Sequence, residues 1–203
     1  MRATKPISWG LVLVLIAALS ACGGSRVARV EPRLTEPAPS TPPPAAARSS
    51  LWSDLESLAD RGAVPLRLSL NQGRFKIGDT LVIACQAPRA GYLNVLNVGR
   101  DDQEVTVLFP NSHHPDNRVP ANAVILIPAP GDDFVLRVTP PVGPNLIVAI
   151  HTPQELNLYR DGQGAINDLF KTLRVQTLVR LEREQKRAGG DFGAAKVITQ
   201  VDQ

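Results

Sequence analysis

The sequence has 203 residues, 43% of them hydrophobic and 20% charged, with 18 prolines and 15 glycines. This composition excludes a largely disordered chain, and its density of turn formers argues against a helix bundle. Formal charge is +3, but Arg2 and Lys5 fall in an export signal, so the 22 basic side chains become 20 against 19 acidic ones and no nucleic-acid partner is expected.

Residues 1–21 read as a signal peptide. Arg2 and Lys5 form a charged start, and Leu11 to Leu19 form an apolar run too short for a comfortable membrane span. The run ends in Leu19-Ser20-Ala21-Cys22, which resembles the lipobox of bacterial lipoproteins. That resemblance implies cleavage before Cys22, with its thiol accepting diacylglycerol and its new N-terminus acylated in many Gram-negative species, palmitate included. At about 0.8 kcal/mol per buried methylene, three acyl chains make release from a bilayer negligible. Gly23 follows the cysteine in place of the Asp associated with inner-membrane retention. In a Gram-negative host the expected location is therefore the outer membrane, lipid-anchored, on the periplasmic side. With Cys22 acylated, Cys85 is the one remaining thiol and no disulfide framework is expected.

Residues 22–50 contain Pro32, Pro37, Pro39, Pro42, Pro43 and Pro44 without apolar periodicity, the pattern of a disordered or polyproline-II linker. At roughly 3.1 Å per residue such a segment reaches tens of ångströms from a bilayer, or simply clears the headgroups.

The folded part, 51–203, opens with a short helix from Ser50 to Asp60, on which Leu51, Leu55, Leu58 and Ala59 share a stripe and which Gly62 ends. Trp52 is expected to pack this helix. From Val64 the pattern changes to short apolar or alternating runs: 64–70, 80–86, 92–98, 104–109, 123–127, 134–138 and 146–150, separated by turn residues. Seven such runs predict a mainly β core over 64–158, a small antiparallel β-sandwich or barrel-like domain. Within Thr80 to Gln86 a period of two puts Leu81, Ile83 and Cys85 on one face, so Cys85 is expected to be buried and inert.

A helix is predicted over 165–188, with Ile166, Leu169, Phe170, Leu173 and Leu181 on its buried side. Its last turns carry Arg180, Arg183, Lys186 and Arg187, which suit a helix C-terminus before Gly189-Gly190 and form a candidate basic face for anionic headgroups or peptidoglycan. Residues 193–201 alternate and predict a closing strand.

The segments Phe75-Lys76-Ile77-Gly78-Asp79-Thr80, Gly91-Tyr92-Leu93-Asn94-Val95, Val107-Leu108-Phe109-Pro110-Asn111, Pro115-Asp116-Asn117-Arg118-Val119 and Ile125-Leu126-Ile127-Pro128 occur in that order. In order and spacing they resemble domain of unknown function family 4384, over about Leu66 to Leu158. The resemblance implies an accessory module of exported lipoproteins and supplies no mechanism. The residues themselves read as structural: Gly78-Asp79 as a tight turn, Gly91 as a turn before Tyr92, and Asn111 as a loop cap after Phe109-Pro110.

The densest polar cluster is the loop containing Asn111, His113, His114, Asp116 and Arg118, a candidate binding loop. Adjacent histidines in an extended loop face opposite ways, and a zinc set of His113 or His114 with His151 and Asp116 lacks spaced ligands, so no metal or cofactor is expected. A Ser112, His114 and Asp116 nucleophilic set lacks a nucleophile elbow, and no catalytic residue is assigned. The expected function is that of a non-catalytic envelope lipoprotein that scaffolds a protein partner, as in a secretion or surface-assembly system. Peptidoglycan binding or cell-wall spacing is the alternative.

Overall fold

The computed structural model describes residues 50–162, 164–165, 169–173 and 175–203. The expected signal peptide, Cys22 and the linker up to Ser49 lie outside the described residues, as does Ile166. The domain is mainly β, as expected, and its elements are numbered in chain order.

Helix α1 (Ser50–Asp60) buries Leu51, Trp52, Leu55, Leu58 and Ala59, the positions a helical period brings to one side. Each fully buried leucine contributes roughly 1.5–3 kcal/mol. The Trp52 indole is 1% exposed and donates to Glu56 Oε2 at 3.1 Å, which makes it a packing anchor. The helix ends where Gly62 N donates to Ala59 O.

One large mixed sheet organises the domain. Its path runs β1 (Val64–Pro65), β14 (Gly193–Asp202), β11 (Gly143–Thr152), β6 (Gly91–Gly99), β7 (Val105–Phe109), β13 (Lys171–Leu173) and β12 (Gly164–Ala165), with β3 (Arg74–Lys76) joined to β14 and β8 (Arg118–Val119) to β6. The closing strand thus exists and pairs antiparallel with β11 from Gly143↔Val201 to His151↔Gly193. A second sheet contains β2 (Arg67–Leu70), β5 (Ile83–Gln86) and β9 (Val124–Ile127), and β4 (Thr80–Leu81) pairs with β10 (Leu136–Arg137).

Alternation along the central strands builds two cores. Leu96 and Val98 of β6 and Leu146, Val148 and Ile150 of β11 meet α1 and Leu181 on one face. Leu93 and Val95, with Ile147 and Ala149, meet Ile83, Cys85 and Ile127 of the second sheet on the other. The result is a sandwich-like stack with helices on its outer side. Among the described residues the strands do not close into a barrel.

Two single runs of the sequence serve two sheets each. The expected strand 64–70 breaks at Leu66, its first part pairing in parallel with Gly193 and Ala194 and its second with β5. The run 80–86 breaks at Val82 in the same way, between β10 and β2.

The expectation of one helix over 165–188 is corrected. Lys171–Leu173 is a strand, with Leu173 opposite Val105, and the helix is α3 (Val175–Ala188). Leu173 and Leu181 are buried as expected, whereas Phe170 precedes the strand and packs on the second core. Leu169, Phe170 and Leu173 have helical spacing, but a three-residue strand carries too short a pattern to compete with it. A short helix α2 (Leu158–Asp161), capped by Asn157, which accepts from Arg160 N at 2.9 Å, was not foreseen.

Candidate functional site

The loop after β7 is built around Asn111, which is fully buried. Its Oδ1 accepts from the backbone N–H groups of His113 at 3.0 Å and His114 at 2.9 Å, and its Nδ2 donates to Leu108 O. The expected loop cap is therefore present. It presents His113 Nδ1 to Asp133 Oδ1 at 2.9 Å and His114 Nε2 to Asp132 Oδ1 at 3.1 Å, while both rings lie beside Phe134. The partners come from the loop after β9, not from Asp116. Asp116 instead accepts from Arg118 N, and Arg118 is exposed on β8 opposite Tyr92. The candidate loop is thus a clasp between two loops.

His151 takes no part in that cluster. It is buried on β11, with no hydrogen-bond partner of good geometry for either ring nitrogen. Burial lowers its pKa; the nearby Arg89 backbone opposes that shift and the Arg89 charge reinforces it. A Cβ at Gly91 would collide with the His151 ring and the Thr152 carbonyl, so Gly91 serves close approach within a strand and not the expected turn. Among the described residues no group of three His, Cys, Asp or Glu side chains can hold a metal ion. Cys85 is 2% exposed, and desolvation pushes its thiol up to about 12, the inert buried cysteine expected.

The helix α3 face is partly neutralised locally. Arg180 pairs with Asp161 at 2.6 Å and Arg187 with Glu184 at 3.1 Å, leaving Arg183 and Lys186 exposed and in no ion pair among the described residues.

The remaining feature is a cleft of about 490 Å³ on the second-core face of the large sheet. On β6 and β11 the residues of that face turn from apolar to polar along the strands: Leu93, Val95, then Asn97; Ala149, Ile147, then Asn145. Thr106 of β7 lies opposite Asn97, and Thr199 of β14 lies opposite Asn145, which completes a polar floor. Phe75, Leu81, Leu108, Leu136, Phe170 and Val201 supply apolar walls, and Arg137 is the one charged residue lining it among the described residues.

Thr199 is satisfied, donating to Gly73 O at 2.9 Å. The Asn97 amide and the Thr106 hydroxyl make no hydrogen bond among the described residues, and Asn145 reaches only Gly143 O, at 3.5 Å. Arg137 donates to Gly78 O at 3.1 Å and has no acidic partner among the described residues. These half-buried donors and acceptors, set between apolar walls, are open to solvent or to a ligand. No motif announced it, because each polar residue is one unremarkable member of a separate strand.

Residues 74–155 match the family described as Domain of unknown function (DUF4384). The matched segment runs from β3 to the loop after β11 and agrees with the resemblance read over Leu66 to Leu158. It supplies Asn97, Thr106, Arg137 and Asn145 of the cleft, while Phe170, Thr199 and Val201 lie beyond it. No curated protein and no solved structure matches the chain.

Proposed function

We propose that the protein is a non-catalytic recognition module of the bacterial cell envelope, exported, acylated at Cys22 and held by its proline-rich segment at the periplasmic face of the outer membrane. The cleft carries the recognition half of this reading: polar groups without partners among the described residues, set among apolar walls, suit binding of a partner. The basic start, short apolar run and Leu19-Ser20-Ala21-Cys22 support the anchoring half. An accessory role beside a secretion or surface-assembly machine follows from a tether joined to a binding domain.

The test has two arms. Palmitate labelling in a bacterial host should mark the wild-type protein and not Cys22→Ser, and the variant should leave the membrane fraction. A photo-crosslinking residue at Val135, which is 55% exposed at the cleft, should trap one defined envelope protein, and the same residue at Ser57 on α1 should not. Unlabelled wild type refutes the anchor, and crosslinks that do not depend on position refute the cleft.

Exposed Arg183 and Lys186 favour a second reading, contact with peptidoglycan carboxylates. Under that reading Arg183→Glu with Lys186→Glu abolishes binding to purified sacculi, whereas cleft substitutions leave it intact.

A further inference from the structure

The chemistry of the cleft narrows its occupant, given the reading above that the cleft is the recognition site. Among the described residues its lining contains no aspartate, glutamate or lysine to complement a cationic ligand. Arg137 follows buried Leu136 on β10 and is itself exposed, so it stands at the rim of the cleft; it lacks an acidic partner among the described residues and uses one guanidinium nitrogen on Gly78 O, which leaves donors for a carboxylate at the mouth. Walls of leucine, valine, isoleucine and phenylalanine suit aliphatic groups better than a sugar, which needs hydrogen bonds along its whole length.

The floor specifies more than apolarity. Asn97 stands opposite Ile147, and Asn145 is two residues before Ile147 on the same face, so the two amides are diagonal neighbours across β6 and β11. Each presents one carbonyl and one NH₂ group, which together match the N–H and C=O of a peptide bond. A fatty acid would satisfy Arg137 and the walls and leave both asparagines open. A carboxylate, a backbone amide and apolar side chains in one ligand describe the end of a polypeptide.

We propose that the cleft binds the free C-terminus of an extended apolar peptide, its carboxylate on Arg137, its last amides on Asn97 and Asn145, and its side chains between Phe75, Leu108, Leu136 and Phe170. The partner is then a protein whose last residues are aliphatic and exposed. The site recognises the end of a chain and not an internal segment, because an internal peptide bond offers Arg137 no charge.

Calorimetry on the mature-length chain carrying Cys22→Ser tests this with two probes, acetyl-Ala-Leu-Val-Leu as free acid and as C-terminal amide. The acid should bind at least about tenfold tighter than the amide, the usual worth of a charge-assisted hydrogen bond. Arg137→Gln should erase that difference, and Asn97→Ala with Asn145→Ala should weaken both probes. Val135→Asp, an exposed change that places a negative charge beside the cleft, should weaken the acid more than the amide and leave the circular dichroism unchanged. Equal binding of acid and amide overturns the C-terminal assignment while leaving the cleft as a binding site. Binding of neither probe overturns the peptide class. Binding that survives the cleft substitutions and is lost with Arg183→Glu overturns this proposal and the cleft reading together.

Discussion

Asn94 and Asn117 donate side-chain hydrogens to the same acceptor, the carbonyl of Leu156, at 3.0 and 2.8 Å. Asn117 also donates to Leu93 O, Asn94 accepts from Leu158 N, and Asn157 adds a bond to Pro115 O. All three asparagines are buried. They replace water for the backbone where the chain leaves β11, and so fix the clasp loop to the central strands. Asn117→Leu removes the side-chain donor to Leu93 O and one of the two donors to Leu156 O, and should cost about 2–4 kcal/mol in urea unfolding. Pairing it with Asn94→Ala should cost more than the two separate losses added, because either amide alone keeps the Leu156 carbonyl bonded and only the double change strips it of both.

Cys85 should be silent chemically. A thiol pushed up to about 12 by burial holds almost no thiolate at neutral pH, so a disulfide reagent should react with it only as fast as the domain opens. In denaturant the same thiol should react at once. Cys85→Ser should cost about 1–3 kcal/mol, since a hydroxyl in this core has no partner.

His151 predicts an acid-side loss of stability. Its folded-state pKa lies below the ordinary value, so above about pH 6.5 it is neutral in both states and costs nothing. As pH falls through that value the unfolded chain takes up a proton the folded one resists. Stability then declines by at most about 1.4 kcal/mol per pH unit until the folded-state pKa is reached. His151→Leu should flatten this part of the profile below about pH 6.5, measured by urea midpoints at each pH.

The clasp should be separable from the cleft. Asp132 accepts from Ala129 N at 2.6 Å as well as holding His114, so Asp132→Ala removes a turn cap and should cost about 1 kcal/mol. Peptide binding should be nearly unchanged, because neither residue lines the cleft.

The longer apolar strands were legible in the sequence, β6, β7 and β11 most plainly, because both faces of each are covered and their residues read as nearly continuous apolar runs. Cys85, Trp52 and Asn111 were legible for the same local reasons, a strand face, a helix stripe and a loop cap. Two-residue strands such as β8 and β12 carry no period, and β13 looked helical because Leu169, Phe170 and Leu173 are three and four apart. The polar cluster at His113 and His114 attracted attention by density alone, and its partners proved to be Asp132 and Asp133. The cleft was illegible because Asn97, Thr106, Asn145 and Arg137 meet only through long-range strand register.

The central claim is that recognition occurs in the cleft, and methyl-resolved NMR of the mature-length Cys22→Ser chain tests it most directly. On addition of acetyl-Ala-Leu-Val-Leu as free acid, the shifts should concentrate on the methyls of Leu81, Leu108, Val135, Leu136, Ile147 and Val201, with the Leu181 methyls of the helix face unmoved. Shifts centred on α3, or an unchanged spectrum at saturating peptide, would contradict it.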